Sequence, residues 1–157
     1  MFKATKQSPL VSQPLRGPYH LHDLHRTSRR LELPFQLPEG FPLSTIAAAR
    51  AYYWAEGQSP QDARRLALAL FDAAFGQGRN ITSNEAVASV AQQAGFDPAA
   101  VGAGIASPEI KQRLKAETDR AIDRGIFGSP FFIVEGEAFW GNDRIPDLRD
   151  WLRTGGW

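Results

Sequence analysis

"GIFGSPFFIVEGEAFWGNDR", residues 125–144, decides how this chain is read. A serine–proline step, Ser129–Pro130, precedes an apolar run, Phe131 to Val134. Glu135–Gly136 then separates it from a second run, Glu137 to Trp140, after which Gly141, Asn142, Asp143 and Arg144 open a final helix over about Ile145–Arg153. Two short runs rich in aromatic and β-branched residues, joined by two residues ending in glycine, predict a β-hairpin. An isolated hairpin is marginal in water, and no other segment carries a strand pattern. The expectation is a mostly α chain with one small β-hairpin, whose sheet is completed by a piece absent from these 157 residues or supplied by a partner.

Working back from the hairpin, the signals are helical. Ser107–Pro108 and Asp97–Pro98 each place a capping side chain before proline at the first helical position. The helix after Ser107 carries Ile110, Leu114, Ala121 and Ile122 at helical spacing and is expected to stop at Gly125. Thr82 and Glu85 have the spacing of a capping box for a helix to about Ala94, ended by Gly95. Ser59–Pro60 starts a helix expected to reach Phe75, near Gly76 and Gly78, and Ser44 precedes an alanine-rich helix through about Trp54. The three prolines and one glycine of "PFQLPEGFP", residues 34–42, predict an extended connector, because proline removes backbone donors and blocks helix. Residues 18–31 read as an amphipathic helix, and residues 1–16, with Pro9 and Pro14, as a loop.

Composition narrows the function classes. The length suits one domain, and 43% hydrophobic residues suffice for a core. A net charge of +1 gives no bulk electrostatic case for nucleic acid. The pairs Arg29–Arg30 and Arg64–Arg65 read as solvated helix faces. There is no cysteine, which excludes disulfides, thiolate metal sites and a CxxC redox pair within this chain and suits a reducing compartment. No apolar run is long enough to span a membrane, and "MFKATKQSPLVSQPL" lacks the apolar region of a secretory signal. A cytoplasmic protein is the expectation. His20, His22 and His25 surround Asp23, but only His22 and His25 share a helix face closely, so a surface helix is expected rather than a metal site. Tyr52, Tyr53 and Trp54 read as core aromatics.

A helical stretch, then "FGSPFF", a hairpin and "FWGNDR" resembles the DsbA-like thioredoxin superfamily. Within it the chain is most similar to 2-hydroxychromene-2-carboxylate isomerases and kappa-class glutathione transferases. "FKATKQSP" resembles the loop after that family's second strand, "RGPYHLHDLHR" the helix that follows, and "LPFQLPEGFPLSTIAAARA" its proline-rich connector and next helix. The resemblance implies an incomplete thioredoxin-like α/β fold with an all-helical insertion. Residues 1–16 would be an N-terminal loop, 17–125 the insertion and 126–157 the C-terminal half of the thioredoxin-like domain. It also implies that Met1 falls after the family's strand–helix–strand segment, whose serine stabilises the glutathione thiolate. No serine of this chain can inherit that role, and no catalytic residue is assigned.

On the residues alone, Ser129–Pro130 could be an ordinary trans connection; the resemblance implies a cis proline, with the Ser129 backbone free to pair with a peptide-like ligand. Asn142 or Asp143 could cap the last helix. The resemblance adds contacts from both to the γ-glutamyl end of glutathione. Free N–H groups at a helix start suit its carboxylate and the Asp143 carboxylate suits its ammonium group. It aligns Gln7 and Arg16 with further glutathione contacts, Arg16 near the glycine carboxylate, where a guanidinium can bind bidentately. Trp140 is the candidate for a pocket taking a small aromatic substrate.

The implied function is a glutathione-dependent 2-hydroxychromene-2-carboxylate isomerase, impaired in this chain by absence of the serine segment. The alternatives are a kappa-class-like glutathione transferase and a non-catalytic module that pairs through exposed hairpin edges. A homodimer is the expected assembly. The absence of cysteine argues against a thiol–disulfide oxidoreductase.

Overall fold

The computed structural model describes residues 8–157. Its elements are a 3-10 turn (Leu10–Ser12), α1 (Arg16–Arg30), α2 (Ile46–Glu56), α3 (Pro60–Phe71), a π-helical turn (Asp72–Gly76), α4 (Asn84–Gln93), α5 (Pro98–Ala106), α6 (Pro108–Asp123), β1 (Phe131–Val134), β2 (Glu137–Trp140), a 3-10 turn (Asn142–Arg144) and α7 (Ile145–Thr154). Among the described residues the sheet is this antiparallel pair. The described residues form two compact units, Ser8–Ala116 and Glu117–Trp157, with the division inside α6.

Capping chemistry sets most helix starts. Ser59 Oγ accepts from the Asp62 N–H at 3.0 Å, Asp97 Oδ1 from Ala99 at 3.0 Å and Ser107 Oγ from Ile110 at 3.2 Å, each with proline just inside the helix. The expected box at Thr82 shifts by one residue. Ser83 Oγ accepts from Ala86 at 3.1 Å, while the Thr82 hydroxyl is drawn to Asn80 Oδ1 at 2.5 Å in a local turn that competes with the cap. The start expected at Ser44 also moves. α2 begins at Ile46 behind Thr45, and no side chain caps it. The α3 segment ends its regular turn at Phe71, and its last residues widen into the π-helical turn. There the Phe75 carbonyl accepts from Gln36 in the connector at 2.7 Å, and the Phe41 and Phe75 rings meet edge to face at 6.0 Å. α1 starts two residues before the expected helix, and part of the expected N-terminal loop is the first 3-10 turn.

The Ser8–Ala116 unit is built on α2, whose Ala47, Ala48, Ala51 and Ala55 form a small-residue face buried against α3, α4 and α5. Leu66, Val87, Val101 and Ile105 fill the space between. Trp54, Tyr52 and Tyr53 are all half-buried, and Trp54 packs against the edge of this core as the sequence suggests. Arg113 of α6 donates to the Tyr53 carbonyl at 3.3 Å, pairs with the Glu56 carboxylate and lies 5.1 Å from the Tyr53 ring centre. Burial first, then its hydrogen bond to Glu56, pushes the Tyr52 hydroxyl above its ordinary pKa.

α6 ends two residues before the expected stop. Gly125 adopts φ +72°, and the Ile126 N–H returns to the Ala121 carbonyl at 2.9 Å, the 6→1 bond of a glycine-terminated helix. The hairpin runs where the sequence places it, with Phe131 opposite Trp140, Phe132 opposite Phe139, Ile133 opposite Ala138 and Val134 opposite Glu137. Glu135 (φ +52°) and Gly136 (φ +92°) both lie in the left-handed region, as a two-residue type I′ turn requires.

Two outcomes test this description. A Cβ on Gly104 would lie 2.7 Å from Trp54 Nε1, against ring atoms that cannot swing aside. Gly104→Ala should therefore cost about 1–3 kcal/mol by overpacking, read as a lower urea midpoint at unchanged m-value. The Ser107 hydroxyl donates to Glu109 at 2.7 Å and, ahead of any other influence, holds that carboxyl below its ordinary pKa. A depressed folded-state pKa stabilises above the unfolded value, and that contribution fades as pH falls through the folded value. Ser107→Ala also removes the Oγ cap on the Ile110 N–H and should, through that cap, lower stability by about 1 kcal/mol, and urea titrations should show the gap to wild type narrowing in acid as the Glu109 contribution is lost.

Candidate functional site

Alternation along the hairpin separates two faces. Phe132, Val134, Glu137 and Phe139 share one. Phe139 is its buried member and meets Trp151 of α7 edge to face at 5.8 Å, which holds the hairpin on the helix. The opposite face carries Phe131, Ile133, Ala138 and Trp140.

One hydrogen bond shapes the open end of the hairpin. The Gly141 N–H donates to the Pro130 carbonyl at 3.1 Å, adding a rung beyond Phe131–Trp140. Proline has no N–H to return, so the rung is single. It brings the Ser129–Pro130 loop, whose peptide bond is cis, beside the Gly141–Arg144 turn. Gly141 has φ +111°, and a Cβ there would overlap Asp143 Oδ1, so the Asp143 carboxylate folds back over a residue that must be glycine.

Ser129, Pro130, Trp140, Asn142 and Asp143 thus gather at one end of the hairpin, all exposed, within the Glu117–Trp157 unit. Asn142 and Asp143 do not cap α7 as the sequence allows. Neither the 3-10 turn nor α7 has a side-chain cap, because the turn runs directly into the helix. Among the described residues no hydrogen bond engages the N–H or C=O of Ser129, or the N–H of Asn142 or Asp143. Arg144 braces the turn, Nη1 donating to Asp147 Oδ2 at 2.9 Å and Nη2 to Asp143 Oδ2 at 3.2 Å. These carboxylates, the Asp147 hydrogen bond foremost, raise the Arg144 pKa above its ordinary value. The Asp143 side chain stays 73% exposed, leaving one oxygen open to a cationic ligand group.

The two remaining expected residues are not described within this unit. Arg16 is the exposed first residue of α1, in the Ser8–Ala116 unit. Gln7 lies outside the described residues. Three residues at the site were not singled out from sequence. Gly141 holds the rung, Phe127 sets its ring edge to face against Trp140 at 4.8 Å, and Gly128 lies under the Trp140 indole. The two glycines carried a signal, since glycine one or two positions from a proline turn or a helix start marks close backbone approach, whereas nothing local marked Phe127. Among the described residues no group of three or more His, Cys, Asp or Glu side chains is placed to hold a metal ion, and no helix is long and apolar enough to cross a membrane.

A helical chain carrying a cis-proline loop, a hairpin and a helix defines a thioredoxin-related architecture. The DSBA-like thioredoxin domain matches residues 2–153, and the chain belongs to that family. It is 29% identical over 130 residues to a 2-hydroxychromene-2-carboxylate isomerase from Sphingobium xenophagum, covering 83% of this chain and 65% of that protein. It is 26% identical over 158 residues to glutathione S-transferase kappa 1 from Homo sapiens, covering 92% and 70%. A solved 2-hydroxychromene-2-carboxylate isomerase superposes with a TM-score of 0.83 at 24% identity, over 97% of this chain and 73% of that one, a likeness of fold. The chain spans 56–65% of the length of the isomerases it matches.

The rung makes a direct prediction. In hydrogen-exchange NMR the Gly141 amide should be protected, while the Asn142 and Asp143 amides exchange near the unprotected rate. Rapid exchange at Gly141 would show that the two loops are not tied.

Proposed function

We propose that this chain holds and orients glutathione in a glutathione-dependent isomerase of the 2-hydroxychromene-2-carboxylate type. The observation that carries the reading is the Gly141–Pro130 rung, which sets unengaged backbone groups and an open carboxylate side by side at the end of one hairpin. The donor set fits the tripeptide. The Ser129 N–H and C=O offer a strand-like pair to a peptide backbone. The Asn142 and Asp143 N–H groups suit a carboxylate, and the Asp143 carboxylate suits an ammonium group. A γ-glutamyl end carries both charges. Gln7 and Arg16 enter this reading through the family resemblance alone.

Glutathione, when bound, supplies a thiol nucleophile. This chain's residues would fix the position of that thiol relative to the second reactant, converting a bimolecular encounter into an oriented one. Trp140, exposed beside the loop, would take the aromatic part of a small substrate. The reading assigns no residue of this chain to the sulfur, so it gives these residues holding and orienting, not activation. The cysteine-free composition suits a cytoplasmic setting, and the expected assembly is a homodimer. A kappa-class-like transferase is the second reading, supported by the human relative, and would use the same glutathione contacts.

Calorimetry tests the proposal. Glutathione should bind the purified chain, and Asp143→Ala should weaken it about tenfold or more, the range of a lost charge-assisted hydrogen bond. Absence of binding together with tight self-association in sedimentation would favour a non-catalytic module instead. Given glutathione, formation of the trans open-chain isomer from 2-hydroxychromene-2-carboxylate separates isomerase from transferase, which would instead yield a stable conjugate.

A further inference from the structure

The Ser8–Ala116 unit holds a cleft of its own. It is an open recess of about 200 Å³ between the end of α3, the π-helical turn and α4. Its floor is apolar, with Ala73 and Val90 both buried. Its rim carries two opposite charges, Asp72 and Arg79, with Gln77 and Gln93 beside them.

The two charges do not pair with each other. Gln77 Nε2 donates to Asp72 Oδ2 at 2.6 Å, and Arg79 Nη1 donates to Gln93 Oε1 at 2.7 Å. Each charged group is thus oriented by a neutral amide that leaves its charge uncompensated. Among the described residues no hydrogen bond or ion pair engages Asp72 Oδ1 or the Nε and Nη2 groups of Arg79. The backbone is shaped around this arrangement. The Gln77 N–H reaches the Asp72 carbonyl at 2.9 Å, which widens the turn and brings the Asp72 and Gln77 side chains together. The Arg79 N–H returns to the Ala73 carbonyl at 2.9 Å, tying the arginine to that turn. Gly76 leaves the space that Asp72 Oδ1 occupies. Single π-helical turns of this kind interrupt regular helix bonding and recur at functional sites.

We propose that this cleft binds a free α-amino acid with a short apolar side chain. The Arg79 guanidinium takes the carboxylate through its open Nε and Nη2 edge, and Asp72 Oδ1 takes the ammonium group. The ligand side chain lies on Ala73 and Val90. The volume sets the size class, since it falls below the roughly 300–1,000 Å³ of pockets for drug-sized ligands. A ligand with a single charge would leave the opposite rim charge without a partner, so the cleft selects the zwitterion. It lies wholly within the Ser8–Ala116 unit, so its occupancy does not depend on the hairpin site.

The test uses the full chain and L-valine, with two analogues that each lack one charge: isovalerate, without the ammonium group, and isobutylamine, without the carboxylate. In isotope-labelled protein, L-valine should shift the side-chain amide resonances of Gln77 and Gln93, and both analogues should bind about tenfold or more weakly. Asp72→Asn should weaken L-valine about tenfold and spare isovalerate, whereas Arg79→Gln should weaken it by about the same factor and spare isobutylamine. The spared analogue shows in each case that the variant is folded. Unmoved glutamine resonances, or isovalerate binding as tightly as L-valine, would overturn the proposal. The γ-glutamyl end of glutathione carries the same two charges, so saturating glutathione is added as a competitor and should leave the L-valine response unchanged. Displacement of L-valine that persists in Asp143→Ala would assign the cleft to that end of glutathione and overturn the free amino acid.

Discussion

The hydrogen bond from the Gly141 N–H to the Pro130 carbonyl is the constraint on which the site depends. Phe131–Trp140 is the last residue pair of the two strands, yet the chemistry-bearing residues lie just beyond it on both sides. A bond one rung further keeps the two exits of the hairpin from diverging. It can be made only because proline, which lacks a donor, still presents a carbonyl, and because glycine at 141 accepts φ +111°. The Asp143 carboxylate over Gly141, the Arg144 brace and the indole over Gly128 all lie within a few residues of that rung.

The helical unit is stabilised by different means. Its α2 face is alanine rather than leucine, so neighbouring helices approach closely and the larger side chains come from α3, α4 and α5. Trp54 against Gly104 repeats, in a helical setting, the device of Trp140 against Gly128: an indole laid where a glycine leaves room. In the first case the ring closes a core, and in the second it stays open to solvent.

Much of this was legible in the sequence, for identifiable reasons. The hairpin follows from two short runs rich in aromatic and β-branched residues and a Glu–Gly turn, which fix register within a two-residue loop. Ser59, Asp97 and Ser107 announce their helices because a side-chain acceptor followed by proline has few other uses. The box at Thr82 misled because Ser83 has the same chemistry one residue later and Asn80 competes for the threonine hydroxyl. The π-helical turn after Phe71 was not legible, since nothing local distinguishes it; the connector residues Gln36 and Phe41 meet it only in the folded chain. At the site, the residues bearing functional groups stood out, whereas Gly128 and Gly141 did not, because a glycine's contribution is the room it leaves for a neighbour.

The period of two along the hairpin has a further consequence. The face that anchors the strands on α7 and the face that carries the aromatic cluster are alternate positions of the same eight residues. A one-residue shift of β2 would exchange them in that strand, sending Phe139 toward solvent and Trp140 toward the helix. Anchoring and recognition are therefore inherited as one unit of sequence. A length change in this segment disturbs both faces at once, whereas a substitution at one position can alter one face and leave the other.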